Sequence, residues 1–139
     1  MHQDTTLDQI DAQRAIQAIQ AELAKRAKAA VIAVADAHGE LIGLLRLAGA
    51  PLSSIGIATN KAWTSAREHK PSRELGQAAR DPVTGFDMAY YGDSRYIGWG
   101  GGVPVSVAGV VVGAVAVSGL SEREDVELAQ IGVAAIIDA

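Results

Sequence analysis

The chain has 139 residues, 49% hydrophobic and 20% charged, with a net charge of −4 and no cysteine. That length and apolar content suit a single hydrophobic core and exclude a disordered chain. The acidic balance excludes a basic nucleic-acid face, and the missing cysteines exclude disulfides and thiolate chemistry.

The start, "MHQDTTLDQIDAQRAIQ", lacks the basic patch and apolar core of a signal peptide. The longest apolar stretch, Val103 to Val117, is broken by Ser106 and by Gly and Pro, and is too short for a membrane span. One cytoplasmic domain over residues 1–139, with neither nucleic-acid nor membrane partners, is the expectation.

In chain order, Ala12, Ile16, Ile19, Leu23 and Ala27 recur at steps of three and four and predict a helix from Leu7 to Lys28, capped by Thr6. "AVIAVAD", Ala30 to Asp36, reads as a buried strand, "AHGE" as a tight turn, and "LIGLLRL", Leu41 to Leu47, as its hairpin partner. Pro51, Ser53 and Ser54 open a helix that Pro71 stops; Ser72 then caps the short helix "RELGQAAR". From Asp81 to Trp99 the pattern is lost, in a segment that holds every tyrosine, the only Phe and one of the two Trp. Such a long loop is functional, disordered or covered by a partner, and its aromatics argue against disorder. Two strands follow, Gly102 to Val107 and Val110 to Ser118, turning at Ala108-Gly109. The last helix opens at Ser121 with capping-box spacing to Glu124. Consecutive strands on short turns predict an antiparallel sheet, and segregated helices an α+β domain.

Several polar residues stand out. Arg46, alone among leucines, needs a partner if buried: Asp36 on the neighbouring strand, or a ligand carboxylate. Lys61 shares a helix face with Thr64 and Glu68; it can bind a carboxylate, or act as a base if its pKa falls. Asp87, Tyr91, Asp93, Arg95 and Trp99 crowd the irregular segment, as a pocket wall or a subunit contact. Asp87 with Glu74 is a conceivable carboxylate pair. Gly100-Gly101-Gly102 precedes a strand, unlike a dinucleotide fingerprint; it is either a close backbone crossing or an anion nest. Glu124 and Asp125 read as cap and dipole partners. None of His2, His38 and His69 has metal-ligand spacing, so no metal site is expected; His69, at a helix end, is the one considered as an axial haem ligand.

Taken together, "AVADAHGELIGLLRLAGAPLSSIGIATNKAWTS", "PSRELGQ" and "GGVPVSVAGVVVGAVAVSGLSEREDVELAQIGVAA" resemble the haem-degrading or haem-binding domain family over about residues 7–137. No one of these motifs is unique, and their order carries the likeness. The resemblance implies a profilin-like α+β fold with a central antiparallel sheet flanked by helices, assembly into hexamers or octamers, and haem as a cofactor.

The function expected is a homo-oligomeric domain that binds a small organic anion or a tetrapyrrole. The ligand contacts would be Arg46, Lys61, Tyr91, Trp99, Gly100, Gly101 and Gly102. The alternative is a catabolic-pathway isomerase, lyase or hydrolase acting on a small carbonyl or carboxylate compound, with Lys61, Asp87 and Tyr91 as catalytic candidates. An oligomeric scaffold is the second alternative. The ligand-binding expectation has Asp81–Gly102 folding over the sheet to enclose a cavity with positive charge at its floor.

Overall fold

The computed structural model describes residues 1–139. In chain order the elements are α1 (Gln9–Arg26), β1 (Val31–Asp36), β2 (Leu41–Arg46), α2 (Ser53–Glu68), α3 (Ser72–Ala79), a 3-10 turn (Met88–Tyr91), β3 (Gly102–Val107), β4 (Val110–Ser118) and α4 (Glu122–Ile137). The strands form one antiparallel sheet in the order β2-β1-β4-β3. The expected α+β class and central antiparallel sheet are both present.

Side-chain size alternates along the two central strands and sorts the layers. Ile32, Val34, Val115 and Val117 point to one face and join Ile19 and Leu23 of α1 and Leu128 of α4. Val31, Ala33, Ala35, Ala114 and Ala116 point to the other and meet Ala58, Ala62 and Ala66 of α2. With both faces covered, β1 reads as an unbroken apolar run. The alanines let α2 lie close to the sheet, which brings Lys61 against β3 and β4.

Several local expectations change. α1 begins at Gln9, and its cap is Asp8, whose carboxylate accepts from the Ile10 and Asp11 amides while Asp11 reaches back to the Asp8 N–H. Thr6 lies outside that helix, and its Oγ1 instead accepts from the Ala37 N–H at 2.8 Å. Leu7 is drawn to the core by its own N–H, which donates to the Val112 carbonyl at 2.9 Å. Ser72 does not cap α3; Pro71 holds that position, and the Ser72 hydroxyl turns inward. Arg46 is exposed at the end of edge strand β2 and forms no ion pair, because its guanidinium stays in water and needs no buried partner. Asp36, its expected partner, accepts from the His38 and Glu40 amides and so closes the β1–β2 turn.

Candidate functional site

A cleft of about 310 Å³ opens where the N-terminal half of α2, the end of β4 and the start of α4 converge. Its lining includes Ser54, Ile57 and Lys61 from α2, Trp99 and Gly100 from the approach to β3, Ser118 from β4, Leu120, and Glu122 and Asp125 from α4. Trp99 forms an outer wall and is 58% exposed.

The floor is an ion pair. Lys61 Nζ lies 3.2 Å from Asp125 Oδ2, and the two side chains are 3% and 4% exposed. Lys61 also donates to the Val117 carbonyl at 3.0 Å, which accounts for two of its three N–H bonds. Asp125 Oδ1 accepts from the Leu120 N–H. Burial pushes the Lys61 amine below its ordinary pKa, with Asp125 pulling back; burial likewise pushes the Asp125 carboxyl up, with Lys61 pulling back. Desolvation dominates at both ends, so the neutral forms gain relative to water. The expected free positive charge at the floor is therefore a paired one.

The glycine triplet owes its composition to close backbone approach. Gly101 has φ +133°, and a Cβ there would overlap the Val117 carbonyl oxygen and come 2.7 Å from Lys61 Nζ. A Cβ on Gly102 would meet the Lys61 carbonyl and Ser65 Oγ. Of the two sequence alternatives, the neighbouring strand and helix fill this space. Ser72 fastens the segment: its hydroxyl donates to the Trp99 carbonyl at 2.7 Å and accepts from the Gly102 N–H at 2.9 Å. At the rim, Arg73 of α3 pairs with Glu122 at 3.3 Å.

Most of Asp81–Gly102 packs elsewhere. Tyr91 stacks on Tyr96 at 4.1 Å, and Tyr96 meets Trp63 edge-on at 4.7 Å. Arg95 covers the Trp63 ring at 4.2 Å and pairs with Asp93. This ladder ties the segment to the C-terminal half of α2, and only Trp99 and Gly100 reach the cleft. Tyr91 does not line it; desolvation, and then the neighbouring Glu68 carboxylate, push its phenol above the ordinary pKa. Asp87 is exposed and caps the 3-10 turn by accepting from the Ala89 N–H; Glu74 is exposed on α3, and neither lines the cleft. The structure thus gathers Lys61, Trp99 and Gly100, backs them with Gly101 and Gly102, and leaves Arg46, Asp87 and Tyr91 apart. The sequence pattern does not distinguish Asp125 from a dipole partner or Ser72 from a cap, because polar residues at helix starts carry both meanings.

A second groove, of about 600 Å³, lies at the other ends of α2 and β4. All three histidines of the chain line it: His2 from the N-terminal segment, His38 from the β1–β2 turn and His69 from the end of α2. His69 has φ +59° and caps α2 in a left-handed conformation. Asp4 contacts His2 at 2.6 Å and His38 at 3.6 Å, whereas His69 has no ion-pair partner. No group of three or more His, Asp and Glu side chains is disposed to hold a bare metal ion. No helix is long and apolar enough to cross a membrane.

Comparison with known proteins agrees with this architecture. Residues 7–134 match the model of a family described as "Haem degrading protein HbpS-like". The chain is similar to the corrinoid adenosyltransferase PduO of Salmonella typhimurium, 28% identical over 106 residues, covering 76% of this chain and 32% of that protein. It therefore spans about a third of the length of that relative. The crystal structure of Klebsiella pneumoniae protein ORFY superposes with a TM-score of 0.92 at 28% identity, covering 100% of this chain and 96% of that one. A crystal structure described as a PduOC:haem complex has the same fold, with a TM-score of 0.86 at 24% identity over 94% of this chain and 95% of the other.

Proposed function

The chain belongs to the HbpS-like haem-degrading protein family, and from that membership we propose that it is a tetrapyrrole-binding domain whose haem site is the histidine-lined groove. The observation that carries this reading is the convergence of His2, His38 and His69, distant in sequence, on one groove. The donor chemistry fits. Haem brings its own four nitrogens and asks the protein for one or two axial ligands, commonly imidazole, so three dispersed histidines that cannot hold a bare ion still suit it. A volume of about 600 Å³ lies in the range of cofactor pockets. Val110 and Val111 offer apolar surface, and Arg67, beside His38 and His69, offers a cation for a propionate.

His69 is the residue assigned to the iron, because its imidazole is uncommitted. His2 and His38 face the Asp4 carboxylate, which holds the orientation of their rings. When bound, haem supplies an iron centre whose spectrum and redox potential depend on the axial ligand and the polarity around it. The small-organic-anion alternative at the Lys61 cleft is less favoured, since Asp125 cancels the charge that would attract an anion. Self-association is part of the reading: Leu41 and Leu44 stay exposed on the α2 side of edge strand β2.

Haemin titration followed at the Soret band tests the site. A saturable shift at micromolar haemin is expected, with His69→Ala altering both its position and its midpoint. Absence of a saturable shift overturns the reading. A shift unchanged in His69→Ala, His38→Ala and His2→Ala alike moves haem away from this groove.

A further inference from the structure

We propose that the cleft beneath Trp99 takes a small neutral aldehyde or ketone, and that Lys61 condenses with it to an imine while Asp125 carries the protons. This site lies at the opposite end of α2 from the histidine groove and stands independently of haem binding. Three observations support it. Lys61 is buried yet lines the cleft, with one N–H left unassigned by its bonds to Val117 and Asp125. The floor is uncharged overall, which disfavours ionic ligands and leaves a polar neutral one. The volume of about 310 Å³, walled by Trp99, Ile57 and Leu120, is at the small end of ligand pockets. Ser54 and Ser118, their hydroxyls 3.3 Å apart, supply further hydrogen-bonding groups at the same wall.

The proton position suits the chemistry. Burial lowers the amine's affinity for a proton and raises the carboxyl's. Proton transfer across the 3.2 Å contact leaves a free amine and a carboxylic acid. The amine lone pair forms the N–C bond as the carbonyl π bond breaks, and Asp125 gives its proton to the oxygen. The resulting carboxylate removes a proton from nitrogen and passes it to the hydroxyl. Water departs as the nitrogen lone pair forms C=N. The products are one water and a protonated imine paired with the Asp125 carboxylate, so atoms and charge balance. A purely structural pair, clamping α2 to β4 and α4, makes the opposite forecast: a lysine this buried is the last to react.

The experiment uses the unaltered protein with propanal and sodium cyanoborohydride at neutral pH, and follows labelling of Lys25, Lys28, Lys61 and Lys70 by peptide mass mapping. Lowering the amine's pKa raises its free fraction at neutral pH, so Lys61 is expected to label several-fold faster than Lys25, Lys28 and Lys70. Labelling of Lys61 at or below their rate overturns the proposal. In Asp125→Asn, slowed labelling at Lys61 alone supports proton carriage. Faster labelling there marks a clamp that has been opened and overturns it.

Discussion

Removing one partner of the buried Lys61–Asp125 pair strands a charge in an apolar setting. Asp125→Ala is expected to lower stability by about 3–5 kcal/mol, whereas the double change Lys61→Met, Asp125→Leu is expected to cost far less; urea unfolding of the three variants measures the contrast. A second residue-scale test concerns Asp93, which the Arg95 guanidinium and amide hold down to about 2. Its folded value lies below the ordinary 3.8, so its contribution is fully present above that pH and disappears as pH falls through about 2. The stability gap between wild type and Asp93→Asn should therefore close over that acid interval. At this scale Lys61 was legible from the helix face it shares with Thr64 and Glu68, and its partner was not. Glu122, Glu124 and Asp125 all stand in the first turn of α4. Which of three neighbouring carboxylates turns inward depends on the angle at which α4 meets the sheet, and no local pattern records that angle.

Elements were more legible than sites because their signals are local. The hydrophobic repeat, Pro71, the Ala108-Gly109 turn and the Ser121 cap all mark features seen in the structure. The Asp8 cap was harder to find, since Thr5, Thr6 and Asp8 are all competent N-cap types; the winner follows from the pairing of Leu7 with β4. The irregular segment was recognised as ordered from its aromatics, yet its destination was misjudged. Tyr91 and Tyr96 find Trp63 on the flank of α2, and that contact is invisible until the helix is oriented. The glycine triplet carries its own prediction. Gly101→Ala forces a side chain into a left-handed backbone and against Val117 and Lys61. A loss of about 1–3 kcal/mol is expected from the backbone alone, and thermal unfolding reads it. Ser72→Ala frees the Trp99 carbonyl and the Gly102 amide, and hydrogen exchange at Gly102 should accelerate while the centre of β4 stays protected.

For the whole molecule, the two clefts sit at opposite ends of the α2 rod, one under Trp99 and one beneath His69. Ligand spectra and aldehyde labelling can thus be scored separately on one sample. The sheet ends in β2 and β3, each with an unpaired side. On the proposed self-association through β2, where Leu41 and Leu44 are exposed, Leu44→Glu is expected to lower the mass measured by light scattering, and an unchanged mass counts against that edge as a contact.

The alanine-faced side of the sheet also dictates what substitutions the core can accept. Toward α1 and α4, where Val, Ile and Leu already fill the layer, exchanges among them that conserve volume are tolerated best. Toward α2, any added methyl group at Ala33, Ala58, Ala114 or Ala116 pries the helix away and takes Lys61 with it. A saturation library selected for folding should therefore accept Val, Ile and Leu exchanges on one surface of β1 and β4 and, on the reverse, keep the smallest side chains at Ala33, Ala35, Ala114 and Ala116.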